Sequence, residues 1–151
     1  MAQSLSSLYV HAIFSTKDRH PFLAEKETRL RVHRYIGGIS ASHGCPALEI
    51  GGVEDHVHVL GSLSRTITVS NWISQLKAGS SSWIKDQDFG LPGFAWQGGY
   101  AVLSVGKREL DIVRRYIVNQ EIHHHGLDFQ SELRRILDEN EVEYDEWYLW
   151  N

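Results

Sequence analysis

The stretch Glu54-Asp55-His56-Val57-His58-Val59-Leu60 decides the reading of this chain. Polar and apolar residues alternate through it as in a β-strand, so His56 and His58 project from one face while Val57 and Val59 project from the other. Two imidazoles about 6–7 Å apart along a strand can turn their rings onto one cation. A lone His-x-His is more often hydrogen-bonded or half-exposed than metal-bound, so the chemistry needs a further donor. Arg114-Arg115-Tyr116-Ile117-Val118-Asn119-Gln120 offers one: a helix over about 107–125 would stack Tyr116 and Gln120 at i and i+4.

Composition bounds the rest. A chain of 151 residues with 42% hydrophobic and 23% charged residues is long enough for one ordinary core and is not compositionally disordered. The lone cysteine, Cys45, excludes an intrachain disulfide and argues against a cysteine-based zinc site. A reducing cytoplasmic setting is the simplest expectation, with no membrane span and no secretory leader. The formal charge of −4 is unevenly spread: residues 1–127 hold 13 Lys and Arg against 11 Asp and Glu, and residues 128–151 hold 2 against 8. The acidity thus belongs to the C-terminal stretch. The remainder carries basic clusters at Lys17/Arg19, Arg29/Arg31/Arg34, Lys107/Arg108 and Arg114/Arg115, enough to grip a few phosphates.

In chain order, Leu8–Phe14 alternates as a strand covered on both faces. Residues 24–42 read as a helix with Leu30, Ile36 and Ile39 inward and the basic residues outward. Residues 47–53 and 56–63 read as two strands joined tightly. Thr68 is an N-cap candidate for a helix that gathers Val69, Trp72, Ile73, Leu76, Trp83 and Ile84 on one side. A strand follows over 100–105, then the tyrosine helix, then a last helix over 129–137. This order predicts an α+β domain with an antiparallel sheet and helices packed on one face. Residues 1–127 make the body, and 128–151 form an acidic helix and tail of the same domain.

His56-Val57-His58 followed by Tyr116-x-x-x-Gln120 resembles the single-tyrosine HUH transposases of the IS200/IS605 type, including those associated with repeated extragenic palindromes. His11-Ala12-Ile13-Phe14-Ser15-Thr16-Lys17-Asp18-Arg19, the Gln75-Leu76-Lys77 helix and Trp96-Gln97-Gly98-Gly99-Tyr100 fit the same pattern, so the resemblance spans about residues 8–125. It implies a ferredoxin-like sheet with the two histidines on a central strand. It further implies cleavage and rejoining of single-stranded DNA, with hairpin recognition, a 5′-phosphotyrosine on Tyr116, and a homodimer whose active site is shared between subunits.

The residue types suit such chemistry. A phenolate leaves more readily than an alkoxide, which makes a tyrosyl phosphodiester reversible, and a divalent ion can neutralise charge on the scissile phosphate. His56, His58 and Gln120 would form a metal site of low ligand charge that takes Mg²⁺ or Mn²⁺ weakly and fills when a phosphate joins. Around it, Glu54 could orient a histidine or be an ordinary exposed carboxylate. Lys77 and Arg115 are candidate DNA contacts. Trp96 and Tyr100 could stack on unpaired bases or pack into the core. Of His123-His124-His125, the outer two read as cations at a helix C-terminus, while His124 continues the Tyr116/Gln120 face and could touch phosphate or metal. Other readings of the same residues are a domesticated palindrome-processing enzyme, a non-catalytic hairpin binder, and a hydrolase of small phosphoesters that leaves Tyr116 idle.

Overall fold

The computed structural model describes residues 2–123 and 127–151. Four strands, β1 (Tyr9–Ser15), β2 (Ala47–Gly52), β3 (His56–Ser62) and β4 (Ala101–Val105), form one sheet in the order β2-β3-β1-β4, with every neighbouring pair antiparallel. Between them run α1 (Lys26–Ser42) and α2 (Val69–Asp86), and after β4 come α3 (Leu110–Val118), α4 (Gln120–His123) and α5 (Phe129–Glu139). The β-α-β-β-α-β order with β1 and β3 in the centre is the ferredoxin-like α+β arrangement.

Strand alternation sorts the core into two layers. Ala12, Phe14, Val57 and Val59 point to one face, where they meet Val32 and Ile36 of α1 and Trp72, Ile73, Leu76 and Ile84 of α2. Trp72 fits because Gly61 opposite it has no side chain: a Cβ there would lie 2.8 Å from the indole. Its Nε1 donates to Ser40 Oγ at 2.9 Å, tying α2 to α1. Thr68 caps α2, its Oγ1 accepting from Asn71 N at 3.1 Å.

The helix layer on that face accounts for α1 and α2; the opposite face carries helices as well. There Ile13 packs on Phe129, Leu133, Ile136 and Leu137 of α5, and Leu60 and Val105 pack on Ile117 of α3. The helix α3 presses so closely on β2 that a Cβ on Gly51 would fall 2.4 Å from Ile117 O. Burying apolar side chains of β1 and β4 on this second face is what recruits the acidic C-terminal segment into the fold.

Two local expectations are corrected. In α1 the buried residues are Thr28, Arg29, Val32, His33, Ile36 and Ser40, with Ile39 partly buried against the core, while Leu30 is 43% exposed. Arg29 can be buried because its guanidinium donates to Leu23 O at 2.8 Å and pairs with Glu121 at 2.7 Å. The tyrosine helix is not continuous over 107–125. A 3-10 turn at Lys107–Glu109 leads into α3, which stops at Asn119 before α4 begins. The β-branched pair Ile117-Val118 followed by Asn, a residue that competes for backbone hydrogen bonds, gives the helix little reason to continue.

Candidate active site

The strand β3 delivers His56 and His58 to the α3/α5 face, both fully buried. Register sets them against β1: Ile13 lies opposite His58 and Ser15 opposite His56. Each imidazole is oriented from behind. His56 Nδ1 meets Asp55 Oδ1 at 2.7 Å, and His58 Nδ1 meets His11 Nε2 at 2.7 Å. Both rings therefore present Nε2 to the same point, the way a second layer of hydrogen bonds aims metal-ligating histidines.

That point is occupied by a carboxylate from α5. Glu132, fully buried, brings Oε1 to 3.1 Å from His56 Nε2 and 3.3 Å from His58 Nε2. Gln120 Oε1 lies 3.1 Å from His56 Nε2, and Gln120 Nε2 donates to Glu132 Oε2 at 3.0 Å. Tyr116 donates its hydroxyl proton to Glu132 Oε2, and Arg135 Nη2 donates to the Tyr116 oxygen at 2.9 Å. The Tyr116 ring stands at 5.8 Å from the His58 ring, centroid to centroid.

The electrostatics follow from burial and from this carboxylate. Burial opposes charge on His56, but hydrogen bonds to Asp55 and Glu132 overcome it and raise its pKa to about 9. Burial and the neighbouring His58 push His11 down to about 3, so His11 is a neutral partner. Burial, then the bond to Glu132, holds the Tyr116 phenol above its usual range, with Arg135 acting in the opposite sense.

The ligand atoms of His56, His58 and Glu132 all lie within 4.8 Å of one another. Adjacent ligands of an octahedral ion with bonds of about 2.1 Å sit about 3.0 Å apart, so the observed separations of the donor atoms fit one shared cation. The structure brings His56, His58 and Gln120 together, and Glu132 beside them makes the cluster richer in negative charge than expected.

The remaining candidates fall elsewhere. Glu54 is exposed in the turn before β3, and its neighbour Asp55 makes the contact to His56. Lys77 Nζ donates to Gln97 O at 2.8 Å and to Gly99 O, holding the loop before β4; burial lowers it to about 8. Trp96 donates to Ser80 Oγ at 2.9 Å and packs edge-on against Phe14 and Phe94, so it is a wall of the core. Tyr100 is 44% exposed beside that loop, and Arg115 is exposed with its Nε on Asp111 O. His124 lies outside the described residues.

Sequence reasoning missed Glu132, Arg135, Asp55 and His11. Asp55 directly precedes the first histidine and His11 lies within a quoted motif, so both had a local signal. Glu132 and Arg135 had only their spacing, one turn apart on the amphipathic last helix.

A buried pair of strand histidines beside a carboxylate and a helix tyrosine, on a ferredoxin-like sheet, is the arrangement that the resemblance to single-tyrosine HUH transposases leads one to expect. Comparison with known families agrees. The model of the family described as "Transposase IS200 like" matches residues 4–120, and the chain belongs to that family of transposases. Among solved structures, a protein of Deinococcus radiodurans R1 provisionally assigned as a transposase is similar at 23% identity, covering 80% of this chain and 95% of its own, with a TM-score of 0.59. A REP-associated tyrosine transposase bound to a REP hairpin is similar at 12% identity, covering 96% of this chain and 93% of its own, with a TM-score of 0.58. These two likenesses concern the fold. No curated protein sequence matches the chain.

Proposed function

We propose that this transposase cleaves and rejoins single-stranded DNA through a covalent 5′-phosphotyrosine on Tyr116, at a divalent-metal centre made by His56, His58 and Glu132 with Gln120 beside them. The observation that carries the reading is the convergence of the Tyr116 hydroxyl and both imidazoles on the single carboxylate of Glu132. When bound, Mg²⁺ or Mn²⁺ would act as a Lewis acid on the scissile phosphate. Two imidazoles and a carboxylate also suit zinc, and elemental analysis of the purified protein separates the cases.

The chain's own groups carry the rest. Tyr116 Oη forms a bond to phosphorus as the bond to the 3′-oxygen breaks; the phenol proton passes to Glu132 Oε2, which already accepts it, and the leaving 3′-oxygen takes a proton from water. Asp55 and His11 keep the imidazoles aimed. Attack by a DNA 3′-hydroxyl on the phosphotyrosine reverses the step and joins strands.

Hairpin recognition is supported by the REP-associated neighbour, which was solved with a hairpin bound. For the assembly, the resemblance implies a dimer with a shared site, but here the tyrosine helix of the same chain occupies the position implied for a partner's. We therefore favour a site complete within one chain, whatever the oligomeric state. No described helix is long and apolar enough to cross a membrane; the cytoplasm remains the compartment we propose, given the single buried, unpaired Cys45.

Incubation with hairpin-bearing single-stranded DNA from the flanks of its own coding region, in Mn²⁺, should yield an SDS-stable adduct. A panel of such DNAs that is bound without any adduct would leave a hairpin binder in place of the enzyme.

A further inference from the structure

The helix α5 reaches the tyrosine with two charged side chains one turn apart, and only one of them faces the metal-ligating cluster. Glu132 takes the buried side. Arg135 takes the outer side, its Nη2 donating to Tyr116 Oη at 2.9 Å and its guanidinium carbon 5.9 Å from the ring centroid. The Arg135 side chain is 44% exposed, and its ion pair with Glu139 is loose at 3.9 Å. The guanidinium is therefore not consumed by a carboxylate. It borders a cavity of about 240 Å³ that reaches Tyr116 and His11 and is also lined by Glu109, Glu139 and Asn140. Among the described residues lining that cavity, Arg135 is the one Lys or Arg, so it is what an anion entering there would meet.

We propose that Arg135 is a catalytic residue that grips a non-bridging oxygen of the phosphodiester attacked by Tyr116. The proposal rests on Tyr116 being the nucleophile. A phosphorus poised for attack stands about 3–3.5 Å from the attacking oxygen. With Arg135 Nη2 already 2.9 Å from that same oxygen, a non-bridging oxygen of the phosphate falls within hydrogen-bond reach of the guanidinium. The planar fork of donors matches two phosphate oxygens, stays charged throughout, and moves no proton. It neutralises charge spread over the equatorial oxygens as the bond to the leaving 3′-oxygen loosens, and it then holds the phosphotyrosine. Glu109 and Glu139 line the same cavity, so without Arg135 the route to Tyr116 would repel a phosphate.

The test compares Arg135→Gln and Arg135→Lys with Arg134→Gln, whose guanidinium pairs with Glu146 and lies over Trp150. Two readouts are taken in Mn²⁺: the single-turnover rate of adduct formation on hairpin DNA, and calorimetric binding of orthovanadate, which needs no particular DNA. Arg135→Gln should slow the adduct by about 10²–10³-fold and weaken vanadate by about tenfold or more, with hairpin affinity and melting temperature unchanged. Arg135→Lys should recover part of both losses, and Arg134→Gln should resemble wild type. Adduct formation in Arg135→Gln within about threefold of wild type overturns the proposal while leaving Tyr116 as nucleophile. Vanadate binding that depends on Arg135, in a wild type that forms no adduct on any DNA, upholds the anion grip and removes the nucleophile reading instead. If Arg135→Gln melts early, Arg135→Lys decides: a folded Lys variant with no adduct and wild-type vanadate binding overturns the grip.

Discussion

Replacing Glu132 by Gln tests the proposed metal centre at its least expected member. The carboxylate is fully buried and uses both oxygens as acceptors: Oε1 faces His56 and His58 at 3.1 and 3.3 Å, and Oε2 accepts from Tyr116 and Gln120. Gln keeps the shape but supplies one oxygen and one NH₂, so whichever way the amide turns, a donor meets either the imidazoles or the Tyr116 hydroxyl and the Gln120 amide. The proposed metal centre loses the anionic ligand found among the described residues. Outer-layer partners of metal-bound histidines are worth about 10–100-fold in affinity, so a direct anionic ligand should cost about 100-fold or more, some 2.7 kcal/mol. Asp55→Asn, which alters only the group behind His56, should cost about tenfold. The apo protein should also lose about 3–5 kcal/mol of stability, because a buried charge pair is broken from one side. Calorimetric titration with Mn²⁺ without DNA reads the affinities, and urea unfolding in EDTA reads the stability. Mn²⁺ binding by Glu132→Gln as tight as by wild type, or a larger loss in Asp55→Asn, would refute Glu132 as a ligand.

Tyr116→Phe should abolish the adduct while Mn²⁺ binding and hairpin affinity persist; an adduct from Tyr116→Phe protein would remove Tyr116 as nucleophile. A mixture of Tyr116→Phe chains with His56→Ala/His58→Ala chains should stay inactive under the proposal that each site is completed by a single chain; recovered cleavage would show that subunits share it. His33 is buried with Nε2 unbonded, and burial, followed by repulsion from Arg29, His58 and His56, lowers its pKa to about 4. The unfolded state, titrating near 6.5, then binds more protons, so this contribution is complete above that value and is lost as pH falls toward 4, up to about 3 kcal/mol. His33→Leu should flatten the urea midpoint between pH 6.5 and 4; an unchanged slope would refute it. Gly51→Ala places a Cβ 2.4 Å from Ile117 O, so α3 must shift with Tyr116. The expected cost is about 1–3 kcal/mol in urea and a slower adduct, and a neutral substitution would contradict the close approach.

The sheet was legible because its signal is local. The alternation over Leu8–Phe14 and His56–Leu60 fixes which side chains share a face whatever lies on it, and the structure keeps those faces. Over Leu8–Phe14 the apolar residues on each face already implied cover on both sides, while the order of elements pointed to helices on one face. What occupied the second face was not legible, since α5 finds it by burying Phe129, Leu133, Ile136 and Leu137 against residues more than a hundred positions earlier in β1 and nearby in β4. Arg29 shows the converse failure. A charge on a helix reads as solvent-facing, and only Leu23 O and Glu121, brought close by the fold, make its burial tolerable.

The site divides along the same line. His56, His58, Tyr116 and Gln120 were legible because each pair has a spacing with chemical meaning, even though the break at Asn119 means that the last two do not sit on one unbroken helix. Glu132 was hidden by its surroundings. It is one of eight acidic residues after 127, a stretch whose charge reads as a solvated tail. What distinguishes it is its place on α5: with Phe129, Leu133 and Ile136 it forms the buried stripe, so this one carboxylate had to enter the interior with the apolar residues around it. A buried carboxylate demands partners, and the two imidazoles, the amide and the phenol are those partners. The tail that reads as peripheral by charge therefore supplies the carboxylate at the middle of the cluster, and Arg135, one turn on and on the open side, lines the cavity that reaches Tyr116 and His11.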